Sequence, residues 1–209
     1  HTQRQGNREG QEQAQRTQTM LLSLAGLLRY ALASNEEATP LSREVRIVDS
    51  LFLLYHARFG NRMQLRWRIS PELDLTETLA PSFLLQPLVE NALKHGLAPK
   101  EEGGLVWVRI ACHSGQLRIS VSDNGVGMTS AQKRALLAGL RSPPVDGKRI
   151  GLYNIAARLR LLEGDCGFEI RSSPGRGTRV TLRLPLVLQP EPPLDTEGKE
   201  GPDDQDTDC

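Results

Sequence analysis

Apolar positions recur along the chain at two different periods, and the switches between them divide it. Met20, Leu21, Leu24, Leu27, Leu28 and Leu32 fall at helical spacing. After the loop SNEEATP the same period returns at Leu41, Val45, Val48, Phe52, Tyr55 and Phe59 and ends at Gly60. Thr39 and Pro40 offer that second helix a side-chain cap and a first-turn proline. Together the two runs predict an antiparallel helical hairpin over 16–60. Met63, Leu65, Trp67 and Ile69 then alternate with polar residues, as in a half-buried strand. Residues 81–95 resume the helical period, with Pro87 either near the helix start or kinking it, and Gly96 as the cap. Two alternating runs, Val106/Val108/Ile110 and Leu117/Ile119/Val121, meet at HSGQ and predict a hairpin. A short helix is expected from Thr129, where Thr129 and Gln132 match a capping box. Another is expected over 151–163, and strands near 167–172 and 178–184 flank the turn SPGRG. Tight turns join adjacent strands at two places. That favours an α+β fold, a two-layer α/β sandwich on a mixed sheet, over a doubly wound parallel sheet.

Composition narrows this picture. A chain of 209 residues suits one domain with an appendage, and 4% aromatic content leaves the core to Leu, Val and Ile. The net charge of +1, with both signs interspersed, gives no electrostatic footprint for nucleic acid, and no nucleic-acid partner is expected. Residues 1–15 are polar and predict a disordered or frayed start. Residues 189–209 carry four prolines and eight acids and predict a disordered tail. Cys112, Cys166 and Cys209 share no metal-ligand spacing, and the odd number argues against a disulfide framework, so a reducing, cytoplasmic setting is expected. No apolar run approaches the ~18 residues of a membrane-spanning helix.

Four polar stretches carry candidate chemistry. In QPLVENALKHG, residues 86–96, Glu90, Asn91 and Lys94 fall on one side of a helix, with His95 at its exit. Taken alone, that set reads first as a solvated face holding a Glu–Lys pair and only second as a binding site. DNGVG at 123–127 reads as a hairpin turn by its Asn-Gly pair. A helical pattern follows it, however, so Gly125 and Gly127 rather let backbone approach a ligand while Asp123 presents an acceptor. KRIGLYNIAARL at 148–159 sets Gly151 before a helix whose first N–H groups suit phosphate, with Lys148 and Arg149 adding charge. SPGRGT at 173–178 is the weakest of the four signals, since a Gly-rich hairpin turn explains it well.

In this order N-A-L-K-H-G, D-N-G-V-G, I-G-L-Y-N and G-R-G-T resemble the N box and glycine boxes of the Bergerat-type ATP-binding fold, over about residues 70–185. That superfamily includes gyrase B, Hsp-type chaperone ATPases, MutL and histidine kinases. Q-P-L-V-E-N-A-x-K-H-G, with L-L-R-Y at 27–30 and Y-x-x-R-F at 55–59, is similar to the LytS/YpdA-type sensor histidine kinases. The resemblance implies ATP and Mg²⁺ as ligands. By it Asn91 coordinates Mg²⁺, Glu90 is a polarising base near the γ-phosphate, and Lys94 and His95 contact phosphate or ribose. Asp123 accepts the adenine amino N–H, and Gly125 and Gly127 give the base room. Gly151 and Leu152 close the phosphate side, Asn154 and Arg158 lie in the family's G-L-x-N-x-x-x-R-L stretch, and Gly175, Gly177 and Thr178 match its last box. Residues 129–149 are the expected lid within a catalytic domain at 61–188, preceded by a dimerisation remnant at 16–60.

The sequence departs from the family pattern at Pro87, where many kinases have Asn, and at Arg149, which replaces the first Gly of a G-x-G-L box. The family's phosphoacceptor segment, P-H-F-L-F-N, does not occur in these residues, and His1, His56 and His113 lack its context. The expected function is therefore the ATP-binding catalytic region of a sensor histidine kinase, the cytoplasmic end of a membrane-bound sensor. Expected partners are a response-regulator receiver domain and a second copy through 16–60. A degenerate, non-catalytic nucleotide-dependent module and an anti-sigma-type serine kinase are the alternatives.

Overall fold

The computed structural model of the chain describes residues 38–141 and 150–188. The elements are β1 (Ala38–Pro40), α1 (Leu41–Phe59), β2 (Met63–Ile69), β3 (Thr78–Pro81), α2 (Leu85–Asn91), β4 (Gly104–His113), β5 (Gln116–Asp123), α3 (Ser130–Gly139), α4 (Ile150–Leu161), β6 (Gly167–Ser173), β7 (Gly177–Pro185) and β8 (Val187–Leu188). A wide π-helical turn, Ala92–Leu97, prolongs α2.

Five strands form the main sheet in the order β2-β4-β5-β7-β6. β2 runs parallel to β4, because the crossover between them contains α2; the other three pairings are antiparallel. The sheet is therefore mixed and covered by helices on one face, the two-layer α+β sandwich expected from the alternating runs. Val106, Val108 and Ile110 of β4 and Leu117, Ile119 and Val121 of β5 are buried together with Leu182 and Leu184 of β7. Leu85, Leu88 and Val89 of α2, Ile155 and Leu159 of α4, and Leu41, Val48 and Leu51 of α1 complete one core. Helix α1, placed by sequence within a helical hairpin, thus packs its buried side into this core. The other expected helix, over 16–34, lies outside the described residues, as do L-L-R-Y, Lys148, Arg149 and the tail 189–209.

Local expectations fared unevenly. The hairpin at HSGQ forms, with Ser114 and Gly115 both at positive φ, the geometry that matches strand twist. Thr129 and Gln132 exchange both hydrogen bonds of a capping box at the start of α3. Helix α2 begins at Leu85, so Pro87 sits in its first turn, where a missing N–H costs nothing. Thr39, by contrast, does not cap α1: it lies in β1, and Pro40 occupies the cap position without a side-chain bond. Its buried Oγ1 finds no partner among the described residues. Gly96 does not end its helix either, because the π turn carries the chain on to Leu97. A second, three-stranded sheet of β1, β3 and β8 was not legible, since strands of two to four residues show no alternation. No helix among the described residues is long and apolar enough to cross a membrane.

Candidate functional site

Three separate stretches of chain converge on Asp123, the last residue of β5. The residue is 7% exposed. Oδ1 accepts the backbone N–H of Gly125 at 2.9 Å and of Thr178 at 3.2 Å. Burial pushes its pKa up from the ordinary aspartate value, and the two N–H donors only partly oppose that shift.

Gly96 supplies the floor. A Cβ there would lie 2.7 Å from Asp123 Oδ1, so this position is glycine to let the carboxylate lie against the helix, not to cap it. The Gly96 carbonyl accepts the Val126 N–H at 3.0 Å, which ties the DNGVG loop to the same turn. Gly125 lies buried against that carbonyl, and Gly127 turns the chain at φ +65°. Gly177 closes the other side with φ +81°; a Cβ would lie 1.9 Å from the Asp123 carbonyl oxygen. Gly175, at the open tip of the β6–β7 turn, donates its N–H to Val126 O at 2.8 Å. Ser172, which the sequence pattern did not single out, joins the parts. Its Oγ accepts from Met128 N at 2.8 Å, donates to Gly177 O at 3.1 Å and lies 2.9 Å from Thr178 Oγ1.

Asn91 lies five residues before Gly96, roughly 7 Å along the helix axis. Its side-chain amide donates to Pro87 O at 2.7 Å. Only the NH₂ can donate, so Oδ1 is left as a hard oxygen acceptor. Glu90 is half-buried near Tyr55 of α1, whose hydroxyl pKa is raised by burial first and by Glu90 second. Lys94 and His95 are exposed on the π turn.

Facing α2, the start of α4 forms the other wall of a cleft of about 300 Å³, lined by Phe83, Pro87, Gly151, Asn154, Ile155 and Arg158. A Cβ on Gly151 would come within 2.9 Å of the Pro87 side chain, so glycine there sets the approach of the two helices. Leu152 is buried in the core and supports α4 from beneath. Arg158 donates to Ser82 O, tying α4 to the loop before α2.

That loop is held from below by Glu44 of α1, which is fully buried. Its carboxylate accepts three consecutive backbone N–H groups, Phe83 at 2.8 Å, Leu84 at 3.0 Å and Leu85 at 2.9 Å. These are donors that a helix start leaves without intrahelical partners. Phe83 stands at φ +58°, unusual for a bulky residue, and the Glu44 bond helps hold it there. Burial raises the Glu44 pKa, against the opposing N–H bonds and Arg158. The available signal was an acid on the apolar stripe of α1, three residues after Leu41 and four before Val48.

The site thus has an enclosed acceptor at one end, a free amide oxygen beside a cleft at the other, and glycines wherever backbone crosses backbone. Among the described residues no three His, Cys, Asp or Glu side chains cluster as a cation site. A cation at Asn91 would need oxygen ligands from a bound molecule, the usual arrangement for Mg²⁺ with phosphates.

A pH dependence follows from Asp123. As an acceptor it works when ionised, and its folded pKa is raised. Affinity for a ligand donating an N–H to it should therefore fall on acidification at a pH above the ordinary aspartate range. Titrations across pH 4–7 check this, and in an Asp123→Asn chain that inflection should vanish.

Residues 78–188 match the family described as histidine kinase-, DNA gyrase B-, and HSP90-like ATPase, and residues 7–63 match a histidine kinase family. The chain is 29% identical over 172 residues to the sensor histidine kinase YpdA of Escherichia coli, covering 82% of this chain and 29% of that protein. It is 28% identical over 170 residues to the sensor protein kinase HptS of Staphylococcus aureus, covering 81% of this chain and 32% of that protein. The chain therefore spans less than a third of the length of these relatives. Among solved structures, the histidine kinase domain of the blue-light-activated histidine kinase of Erythrobacter litoralis has a TM-score of 0.53 at 18% identity, covering 82% of this chain and 75% of that one. The catalytic domain of the histidine kinase ThkA has a TM-score of 0.53 at 16% identity, covering 71% and 93%. These structures share the fold.

Proposed function

Because the chain belongs to the histidine kinase-, DNA gyrase B-, and HSP90-like ATPase family, we propose that it is the ATP-binding catalytic region of a sensor histidine kinase. In this reading it transfers the γ-phosphoryl group of Mg-ATP to a histidine, from which a response-regulator aspartate takes it. The observation that carries the reading is the convergence of α2, the DNGVG loop and the GRGT turn on one buried carboxylate.

Asp123 takes the amino N–H of adenine on the oxygen not used by Gly125 and Thr178, and the close-packed glycines around it hold that carboxylate in place. Asn91 Oδ1 would hold the Mg²⁺ ion that accompanies the nucleotide phosphates. When bound, that ion neutralises charge on the phosphates. Glu90 presents its carboxylate on the same helix turn, where it polarises the attacking imidazole. Lys94 and His95 reach phosphate or ribose, the first N–H groups of α4 face the phosphates across the cleft, and Arg149, outside the described residues, adds positive charge. Residues 129–149 act as the lid that excludes water once nucleotide is in place. Transfer of this kind depends on positioning and charge neutralisation, which this set of groups supplies. Residues 16–60 contribute to a homodimer, and the chain lies on the cytoplasmic side of its sensor.

Incubation of the longer native protein with γ-labelled ATP and Mg²⁺ tests the reading. Label that is acid-labile and base-stable supports phosphohistidine. Nucleotide binding with no label transferred to protein would leave a nucleotide-dependent interaction module instead. For the metal ligand, Asn91→Ala should cost at least tenfold in ATP affinity with Mg²⁺ and little without it, measured by calorimetry in both conditions. Equal affinity in both would remove Asn91 from the metal site.

A further inference from the structure

The face of the five-stranded sheet opposite the helices carries an unusual set of side chains. Strand register lines them up in rows. Arg66, Trp107, Ser122, Arg179 and Arg171 form one row across all five strands. In the next row stand Arg68, Arg109, Ser120, Thr181 and Glu169. A third pairs Arg118 with Arg183. All seven arginines are exposed, and Trp107, second in its row, is 40% exposed. Among the described residues no helix packs on this face. Glu169 is the one acid at its outward strand positions. It pairs with Arg171, and that hydrogen bond first, then the Arg171, Arg183 and Arg118 charges, holds its carboxyl below the usual range. One carboxylate facing seven guanidinium groups leaves a strong local excess of positive charge, although the whole chain is nearly neutral.

The balancing charge is in residues 189–209, which hold eight Asp or Glu and a single Lys. The other residues hold 17 acids against 25 Lys and Arg. We propose that this acidic C-terminal segment folds back onto the arginine face of the sheet and docks there as an internal polyanion. Reach permits it. The segment follows Leu188, which lies five residues beyond Arg183 and so within about 18 Å of it along the chain. Its 21 residues can extend roughly 70 Å, against a face of five strands at about 4.8 Å spacing. Pro190, Pro192, Pro193 and Pro202 have no N–H to give a strand ladder, so docking rests on the side-chain charges. Leu194, its one large apolar residue, is available to cover Trp107. Tethering supplies a high effective concentration, so individually weak ion pairs suffice.

The test uses the full chain with Cys112→Ser and Cys166→Ser, which leaves Cys209 as the one thiol for a nitroxide label. Amide signals of Trp107, Arg109, Ser120 and Thr181 are then compared with the label oxidised and reduced. The proposal expects several-fold loss of these intensities at about 0.05 M salt and recovery at about 0.5 M, where charge screening is short-ranged. It expects no loss in the Arg66→Glu, Arg109→Glu, Arg179→Glu triple variant. Unchanged intensities in the labelled parent, or equal losses in the triple variant, overturn it. So does equal broadening in a mixture of isotope-labelled, spin-free chain with spin-labelled chain, which would assign the segment to a second copy. A single-stranded oligonucleotide that shifts these amides while the segment leaves them unmoved would assign the face to nucleic acid and likewise overturn it. Should the serines disturb the fold, amide shifts between the full chain and one ending at Leu188 give the same decision: confined to this face they support docking, absent there they refute it.

Discussion

Replacing Asp123 by Asn is expected to weaken ATP binding roughly 100-fold or more while leaving the fold intact. The Asn oxygen can still accept from Gly125 N and Thr178 N, so the loop and the β6–β7 turn keep their anchor. That places the new NH₂ where the free carboxylate oxygen was, facing the adenine amino group, donor against donor. Losing a hydrogen bond to a charged group costs about 1.5–3 kcal/mol, and the unsatisfied donors add to it. A total near 3 kcal/mol is about two orders of magnitude in affinity. The sign of the pKa shift makes a companion prediction. A carboxyl raised by burial contributes stability below its unfolded value near 3.8 and loses it as pH rises through the folded value. At neutral pH the ionised Asp123 therefore costs the empty protein stability. The Asn variant should melt no lower than the parent at pH 7 while binding nucleotide far less, and calorimetric titration beside thermal denaturation separates the two effects.

The largest stability effect is expected at Glu44. Glu44→Ala would leave the N–H groups of Phe83, Leu84 and Leu85 without their shared acceptor in a buried turn. Each such donor costs about 1–3 kcal/mol, not additively, and removing the cost of burying a carboxylate offsets part of the sum. A net loss of about 3–4 kcal/mol is a large share of a domain's typical stability of about 5–15 kcal/mol. For a chain of this size it lowers Tm by roughly 10 °C. Nucleotide binding should weaken as well, because the turn before α2 also anchors Arg158 of α4 at Ser82 O. Glu44→Gln keeps one acceptor oxygen and should fall between the two. Denaturant midpoints for the three chains measure this, and a Glu44→Ala chain within 1 °C of the parent would refute the role given to Glu44.

Why Glu44 was missed and Asp123 was not shows what the sequence could convey. Asp123 sits in DNGVG, where a hairpin signal is followed by a helical pattern, and that local contradiction marks a site. Alternation located β2, β4 and β5, and the SPGRG turn located β6 and β7, for the same reason: the information lies within a few neighbouring residues. Glu44 bonds groups 39 to 41 residues away, and nothing near it in sequence announces them. The function of Gly96 was misread on similar grounds. A glycine near the expected end of a helix looks like a cap, and only its contact with Asp123, 27 residues on, shows that it makes room. Ser172 likewise gains its role by joining two loops that no pattern pairs. The order of the glycine-rich stretches therefore pointed to the family, while the tertiary contacts that hold the candidate site rigid did not leave a local trace.

The central claim is that one nucleotide lies between Asp123 and Asn91. Amide and side-chain NMR signals of the full chain, titrated with a non-hydrolysable ATP analogue and Mg²⁺, test it most directly. The account predicts that Gly125, Gly127 and Thr178 amides and the Asn91 side-chain NH₂ shift together with one saturating affinity, and that omitting Mg²⁺ reduces the Asn91 shift far more than the others. Saturable binding that leaves Gly125, Thr178 and Asn91 unmoved would contradict it.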